Sequence, residues 1–90
     1  MNRMAVEGHP LLTRERMRAD LARAMRMAPE EIEEDDNLID LGLDSMRAMA
    51  LLTRWSEQGV ELDLAAVAEK VTLGAWWALA ERALAARAHG

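Results

Sequence analysis

Asn37-Leu38-Ile39-Asp40-Leu41-Gly42-Leu43-Asp44-Ser45-Met46-Arg47-Ala48-Met49 is the stretch on which the reading of this chain turns. It passes from a glycine-containing turn into an amphipathic helix, with an aspartate and a serine at the mouth of that helix. The first backbone N–H groups of a helix have no partner within it and point outward, and the aligned peptide dipoles favour negative charge at that end. A covalently held phosphate sits well there. Asp44 can cap the helix and Gly42 can take a turn conformation closed to other residues, which leaves the Ser45 hydroxyl exposed. Asp-Ser by itself is also simply a good helix start, since both residues rank among the best caps. The full run from Leu38 to Ser45, with matching features on both sides, is far more specific than the dipeptide.

Working outward, the second helix runs from about Ser45 to Gln58 and Gly59 ends it. Ala48, Leu51, Leu52 and Trp55 form its core arc, Arg47, Arg54 and Gln58 lie roughly opposite, and Met46 and Met49 fall on a third flank beside Ser45. Asp63 can cap a short third helix, Leu64 to about Glu69. Thr72 can cap a fourth, Leu73 to about Ala86, with Leu73, Trp76, Trp77, Ala80, Ala83 and Leu84 toward the interior or its rim. Upstream, Thr13 caps a first helix that reaches about Met27, with Glu15 well placed in its first turn. At about 100° per residue, Met17, Leu21, Ala24 and Met25 share one face, while Arg16, Arg23 and Arg26 lie elsewhere.

Pro29 disfavours helical geometry at Ala28, and a loop extends from there through residue 43, longer than typical helix connections. Ile32, Leu38, Ile39, Leu41 and Leu43 are expected to pin parts of it to the core. Period-2 alternation is absent and β-branched residues are few. The expected fold is therefore all-α, four helices around one core, with a long loop between the first two and a short third helix. Residues 1–10, with Gly8 and Pro10, read as a flexible N-terminus, 11–86 as the single domain and 87–90 as a flexible C-terminus.

Ninety residues suffice for one domain, whose core buries roughly 60–70% of the unfolded chain's surface. There is no cysteine, so the chain has neither disulfides nor a thiol nucleophile of its own. Any thiol chemistry must come from an added group. No apolar stretch approaches the roughly 20 residues that span a bilayer, and the start lacks a signal peptide's apolar region, so no membrane role and a cytoplasmic location are expected. The net charge of −5 argues against nucleic acid, which is bound by neutralising phosphates with Lys and Arg. Residues 11–27 carry five Arg against two acids, whereas residues 28–44 carry eight acids and no base. The negative field leading to Ser45 can steer a partner with a basic surface, although Glu30, Glu31, Glu33, Glu34, Asp35 and Asp36 taken singly read as a solvated loop. Their spacing is not that of an EF-hand, and no other metal site is indicated.

A hydrolase triad around Ser45 would need a histidine base, and the two histidines, His9 and His89, stand in the terminal segments. With no nucleophile elbow or phosphate-cradling glycine loop, no catalytic residues are assigned and the chain is not expected to be an enzyme.

The run through Ser45 and the pattern around it, from residue 14 to about 85, resemble the phosphopantetheine-dependent carrier proteins. The resemblance implies a four-helix domain whose serine, here Ser45, receives 4′-phosphopantetheine from coenzyme A through a phosphopantetheinyl transferase. It also implies that the thiol of that arm holds an acyl group as a thioester, which is how a cysteine-free chain could do thioester chemistry. Asp-Ser-Met-Arg-Ala-Met-Ala-Leu-Leu-Thr-Arg-Trp at 44–55 and Ala-Trp-Trp-Ala-Leu at 75–79 look most like the aryl carrier proteins of nonribosomal peptide and siderophore synthesis. In that branch an adenylating enzyme loads an aryl acid, such as salicylate or dihydroxybenzoate, and a condensation domain takes it.

Arg47 and Arg54 replace the dense acidic face of fatty-acid carriers. Leu43 stands where peptidyl carriers usually have Gly or His, and a D-alanine carrier has a similar Asp-Ser-Met. Met46, Met49, Leu64 and Ala68 are the expected partner-binding patch, and a monomer is expected. The alternatives are a peptidyl or other acyl carrier, or a non-covalent helical interaction module. By length the chain resembles a freestanding carrier and equally a piece of a larger synthetase.

Overall fold

Hydroxyl and carboxylate side chains set the start of every helix. The computed structural model describes residues 12–89, of 87–89 the backbone, and contains α1 (Arg14–Met25), α2 (Ser45–Glu57), α3 (Leu64–Glu69) and α4 (Leu73–His89), with a single 3₁₀ turn at Pro29–Glu31. The Thr13 hydroxyl accepts from the Arg16 N–H at 3.0 Å, Asp44 from Arg47 at 2.8 Å, Asp63 from Ala66 at 3.1 Å and Thr72 from Ala75 at 3.1 Å. Each satisfies one of the first-turn donors that a helix leaves orphaned, worth about 1 kcal/mol apiece. The segment 1–10 expected to be flexible, with His9 in it, lies outside the described residues.

Two helix ends differ from expectation. α1 stops at Met25 rather than Met27, because Arg26 takes a left-handed conformation (φ 57, ψ 49) and lets the Met27 N–H reach back to the Ala22 carbonyl at 3.0 Å. α2 ends with the same hydrogen bond, from the Val60 N–H to the Trp55 carbonyl at 2.9 Å, but there the positive φ of 95 falls on Gly59. α4 in turn runs to His89 rather than about Ala86, since Ala85, Ala86 and Ala88 all favour helix.

The left-handed conformation costs a side-chain-bearing residue about 1–2 kcal/mol, part of which glycine returns through its larger unfolded-state entropy. Arg26 is exposed and its side chain has no packing role to lose. Arg26→Gly is therefore expected to stabilise the fold by about 0.5–1 kcal/mol, read as a higher urea midpoint at unchanged slope.

The core gathers Met17 and Leu21 of α1, Trp55 of α2, Leu73 and Trp76 of α4, and Ile32, Leu38 and Leu43 of the loop, all at most 2% exposed. Ala24 and Met25, expected on the same face of α1, are half-buried at its rim, as is Trp77. The loop is built rather than slack. Glu31 accepts from the Ala28 N–H at 3.0 Å and Asp36 from the Glu33 N–H at 2.9 Å, while Glu34 pairs with Arg14. Two backbone bonds fasten it to the far end of the chain: the Leu38 N–H to the Val71 carbonyl at 2.9 Å, and the Gly74 N–H to the Glu34 carbonyl at 3.1 Å. A Cβ on Gly74 would lie 3.3 Å from that Glu34 carbonyl oxygen, tighter than most real contacts, so glycine allows the close approach.

Ile39 corrects the expectation that it pins the loop. It is 53% exposed, because the Asn37 side chain accepts from the N–H groups of Ile39 (2.8 Å) and Asp40 (3.3 Å) and turns the chain. Leu38 takes the interior place and Ile39 faces out.

Candidate functional site

Gly42, Leu43 and Asp44 deliver Ser45 to the surface by three different means. Gly42 has φ 113 with open space around it, so its role is backbone conformation and not room. Leu43 is 2% exposed and anchors the turn in the core, its N–H bonded to the Leu38 carbonyl at 3.0 Å. Asp44 is extended (φ −111, ψ 173), its carbonyl accepting the helical bond from Ala48 at 2.9 Å and its side chain the Arg47 N–H. Ser45 follows as the first residue of α2, exposed.

The surroundings suit a phosphate ester at that hydroxyl. The N–H groups of Ser45 and Met46 belong to the first turn, where no intrahelical carbonyl reaches them. No acid occupies the first turn, and the exposed Arg47 guanidinium stands 3.9 Å from the Asp44 carboxylate, offsetting its charge. Arg54, on the same helix, is exposed at least about two turns away.

Beside Ser45 opens a groove of about 370 Å³ between α2 and α3. Ile39 and Leu43 of the loop, Met49 and Leu52 of α2, and Leu64 and Ala68 of α3 are among its walls, and Trp76 of α4 also lines it. Met49 (48% exposed) and Leu64 (54%) also line a neighbouring hollow of about 260 Å³. Three of the four residues read as a partner patch, Met49, Leu64 and Ala68, thus share one groove with Ser45. Met46, 77% exposed, is not among the groove's walls.

Sequence reasoning missed Asp20. It is buried at 8% exposure and its carboxylate accepts from Trp55 Nε1 at 2.9 Å. The signal was present: Asp20 falls three residues after Met17 and one before Leu21, inside the apolar face of α1, and an acid there requires a buried donor. Among the described residues no cluster of His, Cys, Asp and Glu could hold a metal ion, and no helix is long and apolar enough to cross a membrane.

A family model described as the phosphopantetheine attachment site matches residues 15–79. The chain belongs to this family. It is 37% identical over 68 residues to the acyl carrier protein ScoB of Streptomyces coeruleorubidus, covering 76% of this chain and 80% of that one. Over 53 residues it is 47% identical to enterobactin synthase component B of Escherichia coli (strain K12), covering 59% of this chain and 19% of that protein. Over 60 residues it is 38% identical to phenyloxazoline synthase MbtB of Mycobacterium sp. (strain MCS), covering 67% and 5% respectively. The chain thus spans most of ScoB and about a fifth or less of the other two. No solved structure matches it. Members of the family bear 4′-phosphopantetheine covalently on a serine, so the chain is a carrier and not a catalyst. Such carriers work in general with a phosphopantetheinyl transferase and with loading and condensing enzymes.

Proposed function

We propose that Ser45 is the attachment point of the phosphopantetheine arm and that the chain carries an aryl acid between an adenylating enzyme and a condensing enzyme. The observation that carries this reading is the placement of Ser45: an exposed hydroxyl at an unobstructed helix start, on the rim of an apolar groove. The N–H groups of the first turn would hold the charge of the phosphate ester, and Asp44 keeps that turn wound. When bound, the arm supplies the thiol that the cysteine-free chain lacks. Met49, Leu64 and Ala68 form the face on which enzymes dock in turn, weakly enough to exchange, as contacts under about 1,200 Å² allow. Met49 suits several partners because its thioether adapts to different surfaces. Met46 belongs to this face as an exposed neighbour of Ser45 and not as a groove wall.

The aryl assignment is supported by the patterns at 44–55 and 75–79 and by relatives named enterobactin synthase component B and phenyloxazoline synthase. A second reading, a peptidyl or other acyl carrier, is favoured by the coverage of ScoB, a protein named simply acyl carrier. Loading decides between them. Holo chain incubated with ATP and a salicylate- or dihydroxybenzoate-activating ligase should gain one aryl group by mass spectrometry, and little from amino-acid-activating domains. Met49→Asp or Ala68→Asp should lower that loading rate at least tenfold with an unchanged circular dichroism spectrum. Preferential loading with an amino acid ends the aryl assignment, and unchanged rates with both charged variants end the docking face.

A further inference from the structure

Two indole N–H groups tie all four helices together, and the second of them ends on the wall of the groove. Asp20 of α1 accepts from Trp55 of α2 at 2.9 Å. The Trp55 ring meets Trp76 of α4 edge-on, centroids 6.3 Å apart and planes at 79°. Trp76 Nε1 then donates to the Val67 carbonyl of α3 at 3.1 Å. Both rings are at most 1% exposed, so neither donor has water as an alternative partner.

α3 depends on this bond as no other helix depends on its own. At six residues it is too short to stand unaided, and Val67 is its buried residue, with Leu64, Ala65, Ala68 and Glu69 exposed. Val67 lies among the last four residues of the helix, whose carbonyls have no N–H partner within it, so the indole fills a vacancy that the helix cannot fill itself. The chain on either side is well fastened: Val60 is fully buried with its N–H on the Trp55 carbonyl, and the Val71 carbonyl accepts from Leu38. Between those anchors, among the described residues, the hydrogen bond that reaches α3 from outside its own cap is the one from Trp76.

We propose that Trp76 is a positioning residue for the carrier site: its indole N–H latches α3 to the body and so sets the width of the groove beside Ser45. With the latch open, α3 moves as a unit between its two anchors while α1, α2 and α4 stay packed. The inference rests on the carrier reading only for the identity of what enters the groove.

Amide exchange of the unmodified chain in low urea tests it. Opening of α3 alone exposes little surface, so the Val67 amide and its helical neighbours should exchange by a route almost independent of urea, with less protection than amides of α2. Replacing Trp76 by 3-benzothienylalanine through chemical synthesis keeps the ring shape and removes the donor. The α3 amides should then exchange about five- to tenfold faster, the loss of one net hydrogen bond. Ile32→Val supplies the control, because it weakens the whole fold by a comparable amount at a core position outside α3 and should leave α3 exchange unchanged. The latch is refuted if the α3 amides ignore the Trp76 change, or if Ile32→Val accelerates them equally, since their exchange then runs through global unfolding. Modification of Ser45 is read separately by mass, so failure of the latch and failure of the carrier assignment cannot be confused.

Discussion

Ser45→Ala is expected to abolish the covalent gain completely: incubated with coenzyme A and a broad-specificity phosphopantetheinyl transferase, the wild-type chain gains one phosphopantetheinyl group by mass and the variant none. The fold should be untouched. Asp44 caps α2 through the Arg47 N–H, and the Ser45 side chain, exposed at the first helical position, packs nothing that alanine would lose. Surface changes of this kind stay within about 0.5 kcal/mol. A variant that still gains the group would move the attachment to another hydroxyl, and one that loses its helicity would leave the missing mass without meaning. Asp44→Ala is the useful companion, since it should cost about 1 kcal/mol of stability through the lost cap while leaving the hydroxyl in place.

Trp55→Ala should have the largest effect on folding. The change removes a fully buried ring, leaves a cavity at the centre of the bundle, and strips Asp20 of its indole donor. Large-to-small core substitutions of this type cost about 3–5 kcal/mol. A chain of ninety residues has about 5–13 kcal/mol in all, so much of its stability goes with one side chain. Trp55→Phe separates the two contributions. It keeps an aromatic edge against Trp76 but removes the N–H, and should cost about 1–3 kcal/mol, the penalty of an unmatched buried acceptor. Urea unfolding measures both, and a loss below about 2 kcal/mol for the alanine variant would mean that Trp55 is not the centre of the core.

The helix starts were legible because their chemistry is local. Thr13, Asp44, Asp63 and Thr72 each act on an N–H three residues ahead, a distance that a sequence displays directly. The core faces of α2 and α4 were legible for the same reason, through the period of Leu51, Leu52 and Trp55 and of Leu73, Trp76 and Ala80.

What escaped depends on segments far apart in the chain. The bonds from Leu38 to Val71 and from Gly74 to Glu34 turn an apparently loose acidic stretch into a fitted one, and nothing within residues 28–44 foretells their partners. Asp20 stands 35 residues from Trp55. Ile39 was misplaced because hydrophobicity was counted without the turn that Asn37 imposes. At the site, Ser45 and Asp44 could be read from a few adjacent residues. Of the groove, the face of Met49, Leu64 and Ala68 could be read from helical spacing, whereas the walls from the loop, α4 and a connection could not, since only the fold brings Ile39, Val71 and Trp76 to that place.

The crossed pair Trp55 and Trp76 also gives the molecule an optical signature. The chain has three tryptophans and neither tyrosine nor phenylalanine, so all of its near-ultraviolet absorption comes from indoles. Two of the three chromophores are locked edge to face at 6.3 Å, in a contact that exists only when α2 and α4 are assembled, and their N–H groups end on α1 and α3. Near-ultraviolet circular dichroism therefore reports tertiary assembly with no contribution from tyrosine or phenylalanine.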